Sequence, residues 1–295
     1  MQYRSILAML TATVMSVLVF GAQAQMPDFD AVEIKTTDLG DGIYMLEGLG
    51  GNIGVSVGDD GVFVIDDQFA PLADKILAAI AEITDQPVSF VVNTHWHGDH
   101  TGANAEMSAA GGVVVAHHNV RKRMAAEGER QSPPEALPVV TFGKSVVFHF
   151  NGHTIKAVHP GRAHTDGDAI VFFKEINVMH AGDLLFNGLY PYIDVDSGGS
   201  VDGYIATLEW LHGAADDDTR IISGHGPAAN RQDIATKISM LRDARTRMIA
   251  LIDEGMSLDE IKAADPLEQY HEKWAWSFID GERFTELLYR GLTEW

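Results

Sequence analysis

The sequence contains no cysteine. That excludes disulfide staples, thiolate metal ligands and a cysteine nucleophile, so any metal must be held by His, Asp or Glu. Basic residues are scarce as well: 21 Lys and Arg stand against 42 Asp and Glu, a formal net charge of −21. A nucleic-acid partner needs a basic face to neutralise its phosphates, and so no nucleic acid is expected here. The acidity says little about a small-molecule substrate, since charge spread over a surface mainly serves solubility. A fixed-period repeat and a linker between halves are also missing. With 295 residues, 46% of them hydrophobic, there is enough apolar material to bury a large core.

The one long apolar run comes at the start. Arg4 supplies a short basic region, Ile6 to Phe20 is apolar apart from Ser and Thr, and Ala22-Gln23-Ala24 has the small-x-small pattern of a cleavage site. Residues 1–24 therefore read as a secretory signal peptide, and the run is short for a membrane span of about 20 residues. The expectation is a mature chain 25–295 forming a single domain, periplasmic or secreted, with no stable membrane insertion after cleavage. Removing residues 1–24 takes away Arg4 and no acid, moving the net charge from −21 to −22.

The start of the mature chain reads as β, with short runs at Val32–Lys35, Ile43–Glu47, Ile53–Val57 and Val62–Ile65 between Asp-Gly and Gly-Asp turn signals. Pro71–Ile83 has apolar residues at helical spacing, and Val88–Val92 is the continuous apolar run of a buried strand. A strand at Gly112–Ala116 and a helix at Asn119–Glu127 follow, then strands at Val146–Phe150, Thr154–Val158, Ala169–Phe173 and Asn177–His180. Val201–Leu211 predicts a helix, Arg220–Ser223 a strand and Arg231–Glu254 a long helix, before a helical C-terminal part with Ser257 and Glu260 at capping-box spacing. This order predicts an α/β layered architecture, two sheets covered by helices.

The chemistry concentrates in Thr94-His95-Trp96-His97-Gly98-Asp99-His100-Thr101-Gly102, just past the strand Val88–Val92. Three imidazoles and a carboxylate fall within six residues. A loop at a strand end can turn all four to one cleft, whereas a regular helix or strand points them to different faces. His95 and His97 share parity and suit one metal; Asp99 and His100 suit a second.

His95-x-His97-x-Asp99-His100 resembles the signature of the metallo-β-lactamase superfamily. Three downstream segments fit that family's order: Gly161–Asp168 with His164, His180-Ala181-Gly182-Asp183, and Ser223-Gly224-His225-Gly226. Asp66, ending Val62–Ile65, resembles an early Asp that supports the ligands without being one. The resemblance spans about Ile43 to Pro227. It implies an αββα sandwich of two mixed β-sheets flanked by helices. It also implies one metal on His95, His97 and His164, and a second on Asp99, His100 and His225, with Asp183 reaching both. Two Zn2+ per chain are expected, with Fe and Mn left open by the all-N/O ligand set. A bridging hydroxide would be the nucleophile, and Asp99 would orient it as the catalytic residue.

Other residues attract blander readings. His117 and His118 match no ligand position, and His180 has strand parity that turns it away. His149, His153, His159, His212 and His271 suit the surface or a satisfied core. Asp166 and Asp168 suit the turn into Ala169, and Trp274, Trp276 and Trp295 suit packing. Trp96 is either pocket wall or packing. Two loops, Gly128–Pro138 and Asn187–Ser200, are candidates for shaping substrate choice, the second more so because it follows Asp183 directly. Within the family, the absence of cysteine and the presence of His97 and Asp183 point to B3-like and glyoxalase II-like members. The expected function is an exported binuclear zinc hydrolase of a cyclic amide or ester, β-lactams among the candidates. The alternatives are a glyoxalase II-like thioesterase and a persulfide dioxygenase-like oxidoreductase with a single iron.

Overall fold

Alternation along the strands builds the layers. In a computed structural model that describes residues 28–128 and 131–294, Val62 and Val64 point to one side of their strand and Phe63 and Ile65 to the other, and all four are buried. The sheet therefore has two apolar faces and must be covered twice. The expected signal peptide, the mature start at Gln25 and Trp295 lie outside the described residues.

The first sheet has seven strands in sequence order: β1 (Lys35–Gly40), β2 (Ile43–Glu47), β3 (Ile53–Gly58), β4 (Gly61–Ile65), β5 (Val88–Val92), β6 (Val113–His117) and β7 (Val140–Phe142). β1 to β4 pair antiparallel, and β4 to β7 pair parallel. The parallel crossovers carry α1 (Ala73–Ile83), then α2 (Gly98–Thr101) with α3 (Asn104–Ala109), then α4 (His118–Met124). The second sheet runs β12 (Arg220–His225), β11 (Val178–Phe186), β10 (Ile170–Phe173), β9 (His153–Val158), β8 (Ser145–Phe150), with only β11 and β12 parallel. Between β11 and β12 lies α5 (Val201–Ala214). After β12 come α6 (Arg231–Asp253), α7 (Leu258–Ala264), α8 (Glu268–Trp274) and α9 (Gly281–Thr293).

Three apolar layers result. Phe63, Val92, Val115, Ala157, Val171 and Ile222 fill the space between the sheets. Val64, Ile76, Val91 and Val114 join the first sheet to α1. Ile170, Met179, Leu208, Leu241 and Phe284 join the second sheet to α5, α6 and α9. This is the αββα sandwich of two mixed sheets that the motif resemblance implied.

Some boundaries differ from expectation, each for a physical reason. Strand pairing starts at Lys35 rather than Val32, because Lys75 Nζ donates to the carbonyls of Phe29, Asp30 and Val32 at 2.7–3.0 Å and holds that stretch against α1. β11 does not stop at His180 but continues, wholly buried, to Phe186. Ala181-Gly182-Asp183 carries a bulge rather than the strand end: the register against β12 slips between His180 and Gly182, and Gly182 takes φ 52°. β7 was not foreseen; it is a three-residue edge strand with Val140 left 44% exposed, too short and too wet for a pattern to mark.

Candidate metal centre

Strand ends from both sheets meet at one edge of the sandwich. β5 runs out through Asn93 and Thr94 into His95 and His97; His164 lies in the connection from β9 to β10; Asp183 sits within β11 and His225 ends β12. The seven residues named from sequence all arrive there. They form two adjoining sets, His95, His97, His164 and Asp183 in one, and Asp99, His100 and His225 in the other. Within each set the donor atoms lie within 4.8 Å of one another.

The local backbone departs from the loop expected for the histidine motif. Gly98–Thr101 is a single helical turn, α2, with His97 at its N-cap. Asp99 and His100 share that turn, and their side chains still converge, with His100 Nε2 3.6 Å from Asp99 Oδ2.

Asp183 joins the two sets. Its Oδ2 lies 3.6 Å from His95 Nε2 and 3.5 Å from His164 Nε2, while its Oδ1 lies 3.1 Å from His100 Nε2 and 3.4 Å from His225 Nε2. One oxygen faces each set. Two glycines make room for this. A Cβ on Gly224 would collide with Asp183 Oδ1, and one on Gly51 would collide with the His100 ring.

The donors are oriented from behind. Asp66, buried at the end of β4 in the left-handed region at φ 63°, accepts from Thr94 N and Thr94 Oγ1 at 2.7 Å each and from His100 Nδ1 at 2.8 Å. Thr94 Oγ1 also lies 3.0 Å from His95 Nδ1. His164 Nδ1 donates to the carbonyl of Tyr192 at 2.7 Å, and His97 Nε2 to Asp194 Oδ2 at 2.8 Å. Backs held in this way turn the opposite ring nitrogens toward a common point. Accordingly His97 Nδ1 and His164 Nε2 stand 3.0 Å apart, and His100 Nε2 and His225 Nε2 3.4 Å apart.

The electrostatics of the first set favour a cation, whereas in the second Asp183 and Asp99 outweigh burial and raise His100, and bring His225 up to about 9. Burial and the surrounding imidazoles depress His95 well below the usual histidine range, and burial brings His164 down to about 4, so both are neutral donors. Burial opposes ionisation of Asp99, but His100 beside it and the His225 hydrogen bond hold it at about 2. Asp183 is likewise held well below the carboxylate range, the cost of burial being outweighed by His100, His225 and His95. His95 Nε2 and Asp183 Oδ1 are buried without a hydrogen-bond partner, a costly state that a shared metal ion relieves. The donor set, five imidazoles and two carboxylates with no thiolate, fits zinc and leaves iron and manganese open.

The residues set aside fall elsewhere. His180 Nε2 donates to the carbonyl of Asn52 at 3.0 Å, away from the site. His117 packs on His118 and His159 with ring centroids 4.0 Å apart in each case. Asp166 pairs with Arg123, and Asp168 accepts from Thr165 N, as turn residues. His271 bonds Asp265 and Tyr190, and Tyr190 is core, stacked on Phe284 at 4.2 Å. Trp96 packs with Ala116, Val120 and Met124, together with Leu137 from the 128–138 loop, and its ring lies 5.1 Å from His97. Trp274 is core, and Trp276 packs against the same core with its ring 5.8 Å from that of His225.

Sequence reasoning missed Asp194 and Tyr192 as supports, although it singled out the 187–200 loop. The available signal was position alone, directly after Asp183.

A family model for the metallo-beta-lactamase superfamily matches residues 46–225, more than half of the chain. The chain belongs to the metallo-beta-lactamase superfamily. A hydroxyacylglutathione hydrolase from Polaromonas sp. is 32% identical over 159 residues, covering 52% of this chain and 55% of that protein. The alpha subunit of a 2,4-dinitroanisole O-demethylase from Nocardioides sp. is 25% identical over 44% of this chain and 40% of its own length. The chain thus spans about half the length of the curated relatives it matches. Among solved structures, a metallo-beta-lactamase from Pontibacter korlensis superposes with a TM-score of 0.61 at 19% identity, over 72% of this chain and 100% of that one. A stereoselective inverting sec-alkylsulfatase from Pseudomonas sp. gives 0.69 at 17% identity, over 87% and 50%. At these identities the superpositions establish the shared superfamily fold.

Proposed function

We propose that the protein is an exported hydrolase that uses two zinc ions held by His95, His97, His164 and by Asp99, His100, His225, with Asp183 between them, to cleave a cyclic amide or ester. The observation that carries the reading is the split of Asp183, one oxygen toward each set of donors. Zinc held by these residues would supply a water ionised near neutral pH and a Lewis acid for the scissile carbonyl.

The chain's own residues do the rest. Asp99 is the least buried of the carboxylates, its side chain 27% exposed, and Oδ2 lies 3.3 Å from His225 Nε2. Held ionised, it accepts a hydrogen bond from the attacking water and fixes its direction. His97 and His225 are the most exposed of the five site histidines and rim the opening through which substrate enters. His95, His100 and His164 are fully buried and form its floor, where bulk water is kept out. No serine or cysteine nucleophile is required.

A thioester substrate is the second reading. It is favoured by the likeness to a relative named for hydrolysing hydroxyacylglutathione; export, read from residues 1–24, weighs against it. Assay of the zinc-loaded protein against β-lactams, lactones and thioesters separates the two. Turnover of the cyclic substrates, lost in His95→Ala, supports the first reading; turnover of thioesters alone replaces it. N-terminal sequencing of the exported chain is expected to begin at Gln25, and a retained Met1 would remove the export claim.

A further inference from the structure

An aromatic wall runs round the opening and ends on a cation. The Tyr192 ring stands 5.7 Å from the His97 ring and 5.8 Å from the His164 ring, against one set of donors. Trp276 stands 5.8 Å from His225, against the other set. Phe278 closes the gap, 5.6 Å from Tyr192 and 5.5 Å from Trp276. These three rings come from two distant stretches, the 187–200 loop and the turn between α8 and α9. Phe278 is 45% exposed, so its ring is open to a ligand.

Arg283, in the first turn of α9, lies over this wall. Its guanidinium carbon is 4.0 Å from the Phe278 ring and 5.6 Å from the Tyr192 ring. Nη1 donates to the carbonyl of Phe278 at 2.7 Å, which fixes the fork in place. Arg123, Arg220, Arg242, Arg245 and Arg290 each hold a carboxylate; Arg283, like Arg121 on the carbonyl of Pro138, makes no ion pair among the described residues. In a chain of net charge −21, an arginine left unpaired and braced on two rings is a placed anion receptor.

We propose that Arg283, with Phe278, Tyr192 and Trp276, selects substrates that carry an anionic group, a carboxylate first, on an apolar body beside the scissile bond. The apolar body lies on the rings, and the anion meets the remaining N–H groups of the guanidinium. The scissile carbonyl then falls at the donors beyond Tyr192. This deepens the hydrolase reading and rests on it.

The test compares two esters that differ only at the acyl end, mono-4-nitrophenyl glutarate and 4-nitrophenyl butyrate, on the zinc-loaded full chain. The wild type is expected to show a KM at least tenfold lower for the glutarate. Arg283→Ala should bring the KM ratio to within threefold, Arg283→Glu should invert it, and Arg283→Lys should keep part of it, because the ammonium retains charge but not the fork. A ratio unchanged in Arg283→Glu overturns the proposal. So does an equal fall in kcat for both esters, the sign of a structural role. Binding of 4-phenylbutyrate against its neutral amide, followed by tryptophan fluorescence, is read alongside. If neither these esters nor the β-lactams, lactones and thioesters are cleaved but the acid still binds at least tenfold tighter than the amide, and only with Arg283, the hydrolase reading fails and the anion site stands. Equal binding of acid and amide removes the site.

Discussion

Asp194 accepts the Nε2 hydrogen of His97 at 2.8 Å and thereby aims His97 Nδ1 inward, 3.0 Å from His164 Nε2. The Asp194 carboxylate pays for its burial through this bond and those from Ser197, which together bring it down to about 2. The 187–200 loop is thus fastened to the site at two points, Asp194 on His97 and the Tyr192 carbonyl on His164.

Loss of that support should loosen the first set of donors while leaving the second intact. Asp194→Ala is expected to weaken one of two bound zinc ions by about 10–100-fold, the usual cost of removing a residue that orients a ligand histidine. Chelator competition reads this directly. Two affinities both equal to wild type would show that His97 needs no such brace.

Chelation should also cost stability. Without a metal, His95 Nε2 and Asp183 Oδ1 are buried and make no well-formed hydrogen bond. With free zinc at about 100 times its dissociation constant, binding contributes about 2.7 kcal/mol, so removing the metal should lower Tm by about 5 °C or more. Differential scanning calorimetry before and after chelation checks it, and an unchanged Tm would contradict a preformed site.

Acid should act at a second place, away from the donors. His117 is buried, and desolvation, with His159 and His118 beside it, lowers it to about 4 against the opposing pull of Asp166 and a hydrogen bond to the Gly143 backbone. His159 is lowered too, first by burial. A histidine depressed in the folded state protonates first in the unfolded chain, so its stabilisation is complete above pH 6.5 and is lost as pH falls from 6.5 to about 4. His117→Gln should reduce that loss by on the order of 2 kcal/mol. Urea unfolding of the chelated protein at pH 7 and pH 4.5 measures it; identical pH dependence in the two proteins would refute it.

How much of this was legible in the sequence follows from the range of each signal. β2 and β5 are found at the residues their apolar runs marked, because a buried strand writes its whole length into the chain. The capping box at Ser257 and Glu260 is local and was equally plain. The seven donors were legible because a dense motif and three short segments carry them, and the fold brings the residues so named to one edge. α2 was missed because one turn has no period to detect, and β11 was cut short because Gly182 and Asp183 interrupt its apolar run at the bulge. Asp194, Trp276 and Arg283 were illegible as site residues, since what gives them meaning is a contact across 50 or more residues of chain.

The most direct test of the central claim is the metal content of the exported protein, measured by elemental analysis without added metal, beside Asp99→Ala and His225→Ala. The account predicts about two zincs per chain in the wild type and about one in either variant, because the set of His95, His97, His164 and Asp183 is untouched. No bound metal in the wild type, or a single iron in its place, would contradict it.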